Sequence, residues 1–159
     1  MNRILLFSVI LFSLAACNKQ PSNDNNNNAA PAAPAAPQLT TLTYPPLPQE
    51  IATKVGNTGD HIDVIFYNMP ISISRDGNTD VQQMLSHVSD QAPAQVAPCQ
   101  PIGRIFFQGQ GETIAEADLY LGENCNYYVF MENGKPTYAN LLMPDGINLY
   151  EKLTRPYRK

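Results

Sequence analysis

Charge is scarce in this sequence. Charged residues make up 15% of its 159 positions, the formal net charge is −4 and the pI is about 5.0. Globular chains usually carry about 25% charged residues. Nothing here supplies a row of cations to neutralise phosphates, which excludes nucleic acid as a partner. No basic stripe exists for anionic lipid either. The longest apolar run, Ile4 to Leu14, is too short for the ~20 residues of a membrane-spanning helix. Histidines number two and cysteines three. G-x-S-x-G, H-E-x-x-H, a Walker glycine loop and an EF-hand pattern are all missing. The sequence shows no internal repeat, and it calls for no metal and no cofactor.

The first seventeen residues read MNRILLFSVILFSLAAC. Arg3 supplies a positive n-region, the apolar run follows, and Ala15 and Ala16 are small, which is the pattern of a secretory signal. Leu14-Ala15-Ala16-Cys17 resembles the lipobox of bacterial lipoproteins. The resemblance implies that residues 1–16 are cleaved and that Cys17 is acylated (palmitate or a similar chain) and anchors the protein in a membrane. Each buried CH₂ contributes ~0.8 kcal/mol, so one chain binds marginally and two or three bind stably. Asn18, rather than Asp, follows the cysteine. By the same resemblance this implies the outer membrane, with the protein facing the periplasm.

Residues 17–50 differ in composition from the rest. They hold the run Asn25 to Asn28, Ala-Ala-Pro repeats up to Pro37, and Tyr44-Pro45-Pro46-Leu47-Pro48. Such a segment buries too little apolar surface to offset chain entropy. It reads as a disordered tether, and thirty residues of polyproline II would reach ~90 Å. Residues 51–159 then form a single globular domain, long enough for one core.

Within that domain His61 to Tyr67 alternates around Ile62, Val64 and Phe66, as a half-buried strand does. Pro70 interrupts the alternation, Ile71 to Ser74 resumes it, and Asp76-Gly77 turns the chain. Val81, Met84, Leu85 and Val88 then fall on one helical stripe, with Thr79 and Gln82 spaced as a capping box. From Ile102 the pattern is an antiparallel meander. Its segments are Ile102 to Phe107, Thr113 to Leu121 with a bulge expected near Ala115-Glu116-Ala117, Cys125 to Met131, and Thr137 to Leu142. Gln108 to Gly111 and Asn133-Gly134 are its turns, the latter favouring type I′. Ile147, Tyr150 and Leu153 suggest a short closing helix. The expected fold is α+β, one amphipathic helix packed on an antiparallel sheet of about four to six strands, with one disulfide.

That disulfide is Cys99 to Cys125. Lipidation removes Cys17 from the count, and the remaining two lie in an oxidising compartment. Their spacing is not C-x-x-C, and no neighbouring cation lowers either thiol pKa.

Three groups invite a catalytic reading. His61 and Asp63 share one strand face, but it is the face opposite the core, so a solvated polar edge accounts for them. Ser86, His87 and Asp90 can be drawn as a triad only arbitrarily, since adjacent helix residues point about 100° apart; at a helix C-terminus His87 is favourable as a cation. Glu116 and Asp118, with Glu112 nearby, offer paired carboxylates ~6–7 Å apart, a separation shared by any i, i+2 acidic pair. A fourth feature points to binding. Six of eight tyrosines follow residue 119, interleaved with asparagines. Tyr120, Tyr127, Tyr128, Tyr138, Asn126 and Asn140 form the candidate binding face, because such residues combine rigid area with hydrogen bonds. The sequence therefore supports a lipid-anchored envelope protein acting as a non-catalytic binding or structural module. Its partners would be the membrane, through Cys17, and an envelope protein or glycan. The alternative is a periplasmic hydrolase acting on cell-wall material, or an inhibitor of such a hydrolase.

Overall fold

The structure, a computed structural model, describes residues 42–157 apart from 95 and 97. The expected signal peptide, the expected lipidation site Cys17 and the expected tether up to residue 41 lie outside the described residues. Six strands form one fully antiparallel sheet: β1 (His61–Phe66), β2 (Ser72–Asp76), β3 (Gly103–Gly109), β4 (Glu112–Tyr120), β5 (Tyr127–Glu132) and β6 (Lys135–Leu141). The spatial order is β2-β1-β3-β4-β5-β6. Among the described residues three α-helices accompany it: α1 (Gln49–Thr58), α2 (Asn78–Leu85) and α3 (Pro144–Thr154). The fold is the expected α+β arrangement, with six strands and with the Cys99–Cys125 disulfide formed. Among the described residues no helix is long and apolar enough to cross a membrane.

The alternating strands bury one side of the sheet under the helices. Ile62, Val64 and Phe66 of β1, Ile105 and Phe107 of β3, and Ala115, Ala117 and Leu119 of β4 meet Val55, Val81, Met84 and Tyr150 from the helices. Two β-hairpin turns have the chemistry the sequence proposed. Asn133-Gly134 has φ of 52° and 73°, and Gln110-Gly111 has 54° and 80°. Both residues of each pair are left-handed, as a type I′ turn requires. Gly109 therefore is not a turn residue. A Cβ there would lie 2.3 Å from the Thr58 carbonyl, so glycine lets the end of β3 pass against the C-terminus of α1. The bulge in β4 falls at Ile114, because Phe107 pairs with Ala115 while Gln108 pairs with Thr113. That is one residue before the expected Ala115-Glu116-Ala117.

Four local expectations change. Residues 61–76 form a β1–β2 hairpin rather than one interrupted strand, with Asn68 at φ 56° in its turn. The capping box does not form, since α2 starts at Asn78 after Gly77 and has no side-chain cap. Asn78 and Gln82 instead donate to the backbone of α1. Asn78 Nδ2 reaches the carbonyls of Gly56 (2.9 Å) and Gly59 (2.8 Å), and Gln82 Nε2 reaches Gly56 (3.2 Å). The orphan carbonyls that end one helix are thus satisfied by amides on the next. Among the described residues there is, besides α2 and the closing helix, a third, α1, across the boundary that composition places between tether and domain. Finally, order begins before residue 51. Leu42 bridges Val96, the Pro45 carbonyl accepts from Ala139 N at 2.9 Å, and the Asn140 side chain accepts from Leu47 N at 2.9 Å. Proline lacks a donor but keeps its acceptor, so a proline-rich stretch can still bond a sheet edge.

Tyr128 and Tyr150 join the sheet to α3. Both are fully buried, and their hydroxyls lie 2.7 Å apart. Burial pushes the Tyr150 phenol up to about 12 and raises Tyr128 as well, so both stay neutral. Removing one hydroxyl leaves the other unpaired in the core. Tyr128→Phe and Tyr150→Phe should each cost ~1–3 kcal/mol in urea unfolding, whereas the double variant should cost clearly less than their sum. Additive losses would contradict a paired hydroxyl.

Candidate functional site: the uncovered sheet face

The tyrosines singled out from sequence do not share one surface. Tyr127 and Tyr128 are 1% and 0% exposed and point to opposite sides of β5. Tyr128 and the half-buried Tyr138 belong to the helix-side core. Tyr127 stacks on Tyr120 on the other side, with ring centroids 4.8 Å apart. Burial raises the Tyr120 phenol to about 12. Asn140 is buried and bridging, accepting from Leu47 N and donating to the Ser89 carbonyl at 2.8 Å. Asn126 accepts from Gly122 N at 3.3 Å. These residues build the fold, and the expected binding face at Tyr120 to Asn140 is corrected accordingly.

What buries Tyr127 is a cover. Residues 42–46 and the segment carrying Val96 and Cys99 lie over the far side of β5 and β6. There Tyr44, Val96 and Cys99 pack on Cys125, Tyr127, Val129 and Ala139. The disulfide holds Cys99 to Cys125 across a separation of 26 residues, with Cα atoms 6.5 Å apart. Closing such a loop stabilises by ~3–4 kcal/mol on chain entropy. The cover stops at β4.

Beyond it, the same side of β1 to β4 is open. Alternation sends His61, Asp63, Ile65 and Tyr67 there, together with Arg104, Phe106 and Gln108, and Glu116 and Asp118. Ile65 is 50% exposed and Tyr67 36%, and Phe106 is half-buried between them and β4. Side-chain bonds order the polar groups. Arg104 Nε donates to Asp118 Oδ1 at 2.8 Å, and its guanidinium approaches Glu116 at 3.7 Å. Tyr67 donates its hydroxyl to Asp118 at 3.2 Å. Gln108 Nε2 donates to Asp63 at 3.2 Å. His61 sits between two carboxylates, with Nδ1 2.6 Å from Asp76 and Nε2 3.2 Å from Asp63. The hydrogen bond to Asp76, reinforced by Asp63, raises the His61 pKa above its usual 6.5. Hydrogen bonds from Ser74 and His61 hold the Asp63 carboxyl below its ordinary range.

The catalytic arrangements considered from sequence do not assemble. Glu116 and Asp118 both face Arg104, which holds them as ion-pair partners. Ser86 Oγ donates to the Gln83 carbonyl at 2.6 Å rather than to His87. His87, expected as a helix-end cation, is buried instead, and desolvation lowers its pKa. Its ring packs against α3 through Gly146, where a Cβ would lie 2.8 Å from the His87 Cβ. No group of three or more His, Cys, Asp or Glu is placed to hold a metal ion among the described residues. No family model matches the chain, and neither a curated protein nor a solved structure is significantly similar to it.

The His61 geometry has a pH signature. A base whose folded pKa is raised contributes stability that is complete below its unfolded pKa, ~6.5, and is lost as pH rises through the higher folded value. The melting-temperature difference between the wild type and His61→Gln should therefore be larger at about pH 5.5 than at about pH 9. An equal difference at both pH values would contradict the bridged imidazole.

Proposed function

We propose that this chain is a lipid-anchored protein of the bacterial cell envelope, held in the outer membrane through acylated Cys17 and facing the periplasm. There it acts as a non-catalytic binding module. The observation that carries the binding reading is the division of one sheet face. Its β5–β6 half is sealed by chain segments and a disulfide, while its β1–β4 half keeps an ordered polar network around exposed apolar side chains. A surface that spends apolar area on solvent beside positioned hydrogen-bonding groups suits recognition. The hydrolase alternative has less to draw on. A general acid–base pair needs carboxylates free to exchange protons, and Arg104 engages both members of the Glu116/Asp118 pair.

Two experiments test the proposal. Metabolic labelling with a palmitate analogue should mark the wild type, and Cys17→Ala should remove the label and release the protein from the membrane fraction. A label that survives Cys17→Ala would overturn the anchor. In-cell photo-crosslinking from Ile65 and Phe106 should give a discrete adduct, while Tyr127 and Tyr128 should give none. Adducts from the two tyrosines alone, or from no position, would overturn the binding surface.

A further inference from the structure

From the chemistry of this same open face, and resting on the binding reading above, we infer that its occupant is a protein surface presenting lysine or arginine around an apolar contact. The charge balance carries the inference. Asp63, Asp76, Glu116 and Asp118 lie on or border the face, against Arg104 and the titratable His61. The Asp76 side chain is 92% exposed. The only other cation on β1 to β4, Arg75, pairs with Ile62 in the ladder and so points to the helix side. The acids therefore outnumber the cations whether or not His61 is protonated.

That surplus discriminates among occupants. A second copy docked face to face would set like charges against each other, which costs affinity. Anionic lipid is repelled for the same reason. A neutral glycan would donate hydroxyls to the carboxylates and stack on Tyr67, but it leaves the net negative charge of the face uncompensated. A cationic protein surface answers both features. Its apolar side chains meet Ile65, Phe106 and Tyr67, and its lysines or arginines meet the acidic rim. Complementary charge at a rim chiefly raises the rate and specificity of encounter.

The patch is small. Four strands about 4.8 Å apart and some seven residues long project to ~400–450 Å². A stable interface buries ~800 Å² on each partner. The contact is accordingly transient, and covalent capture is the suitable readout.

The test uses the full lipidated chain in isolated envelopes, with the photo-crosslinker at Phe106. The adduct is collected at about 0.05 M and at about 1 M salt, where screening shortens from more than 10 Å to ~3 Å. It is also collected with Asp76→Lys, and with Glu151→Lys, at an exposed position of α3, as the control. The expected result is a protein adduct whose mapped peptide contains lysine or arginine. Its yield should fall at least about tenfold with salt and with Asp76→Lys, and should hold with Glu151→Lys. A protein adduct indifferent to salt and to Asp76→Lys overturns the charge inference and leaves the binding surface standing. So does a glycan adduct or a second copy of the chain. No adduct under any condition removes both. The salt series does not depend on the folding of any charge variant.

Discussion

The three short α-helices of the described residues cover one face of the six-stranded sheet, and the rest of this structure follows from what happens to the other face. An uncovered antiparallel face is ordinarily polar. Here β5 and β6 put Tyr127, Val129 and Ala139 on that side, and a half so apolar must be sealed. The seal comes from two remote pieces of chain, residues 42–46 and the segment around Val96 and Cys99. They are fixed by the Cys99–Cys125 bond and by Asn140, which grips both the Leu47 amide and the Ser89 carbonyl. The β1–β4 half needs no seal, because its outward positions are mostly polar and bond one another. The same cover that completes the fold leaves the β1–β4 half, the surface proposed for recognition, open.

The polar half is also held in place. Arg104 is bound to Asp118, Tyr67 to Asp118, Gln108 to Asp63, and His61 to both Asp63 and Asp76. Exposed ion pairs contribute little to stability. Their effect here is to fix rotamers around Ile65 and Phe106, so the proposed partner would meet a surface whose side-chain entropy is already reduced. His61 links this order to pH, since its protonated form is the one both carboxylates favour.

Local patterns were legible wherever one segment determined the outcome. Alternation located the outward side of His61 and Asp63, Asn133-Gly134 specified its turn, and the Val81-Met84 stripe found α2. Compartment logic paired Cys99 with Cys125. Non-local facts were not legible. Tyr127 and Tyr128 point to opposite faces, as the period of two requires, and at least one of them would be exposed if only helices covered the sheet. A proline-rich segment with no apolar periodicity buries Tyr127, and no local signal announces that role. Helix α1 was missed for a related reason. Val55 is its one fully buried side chain, Gly56 lies within it and Pro48 precedes it. The Ile51-to-Val55 spacing and Glu50 in its first turn were the available signals. The Glu116/Asp118 pair could not be read either until β3 brought Arg104 alongside.

The central claim is that the β1–β4 half-face, and not the tyrosine-rich β5–β6 region, meets a partner in the envelope. Side-chain footprinting tests it most directly, by comparing the purified mature protein with the protein in intact envelopes. Ile65, Tyr67 and Phe106 should label readily in isolation and be protected in the envelope, while Tyr127 and Tyr128 stay unreactive in both. Equal labelling of Ile65, Tyr67 and Phe106 in the two settings would contradict the account.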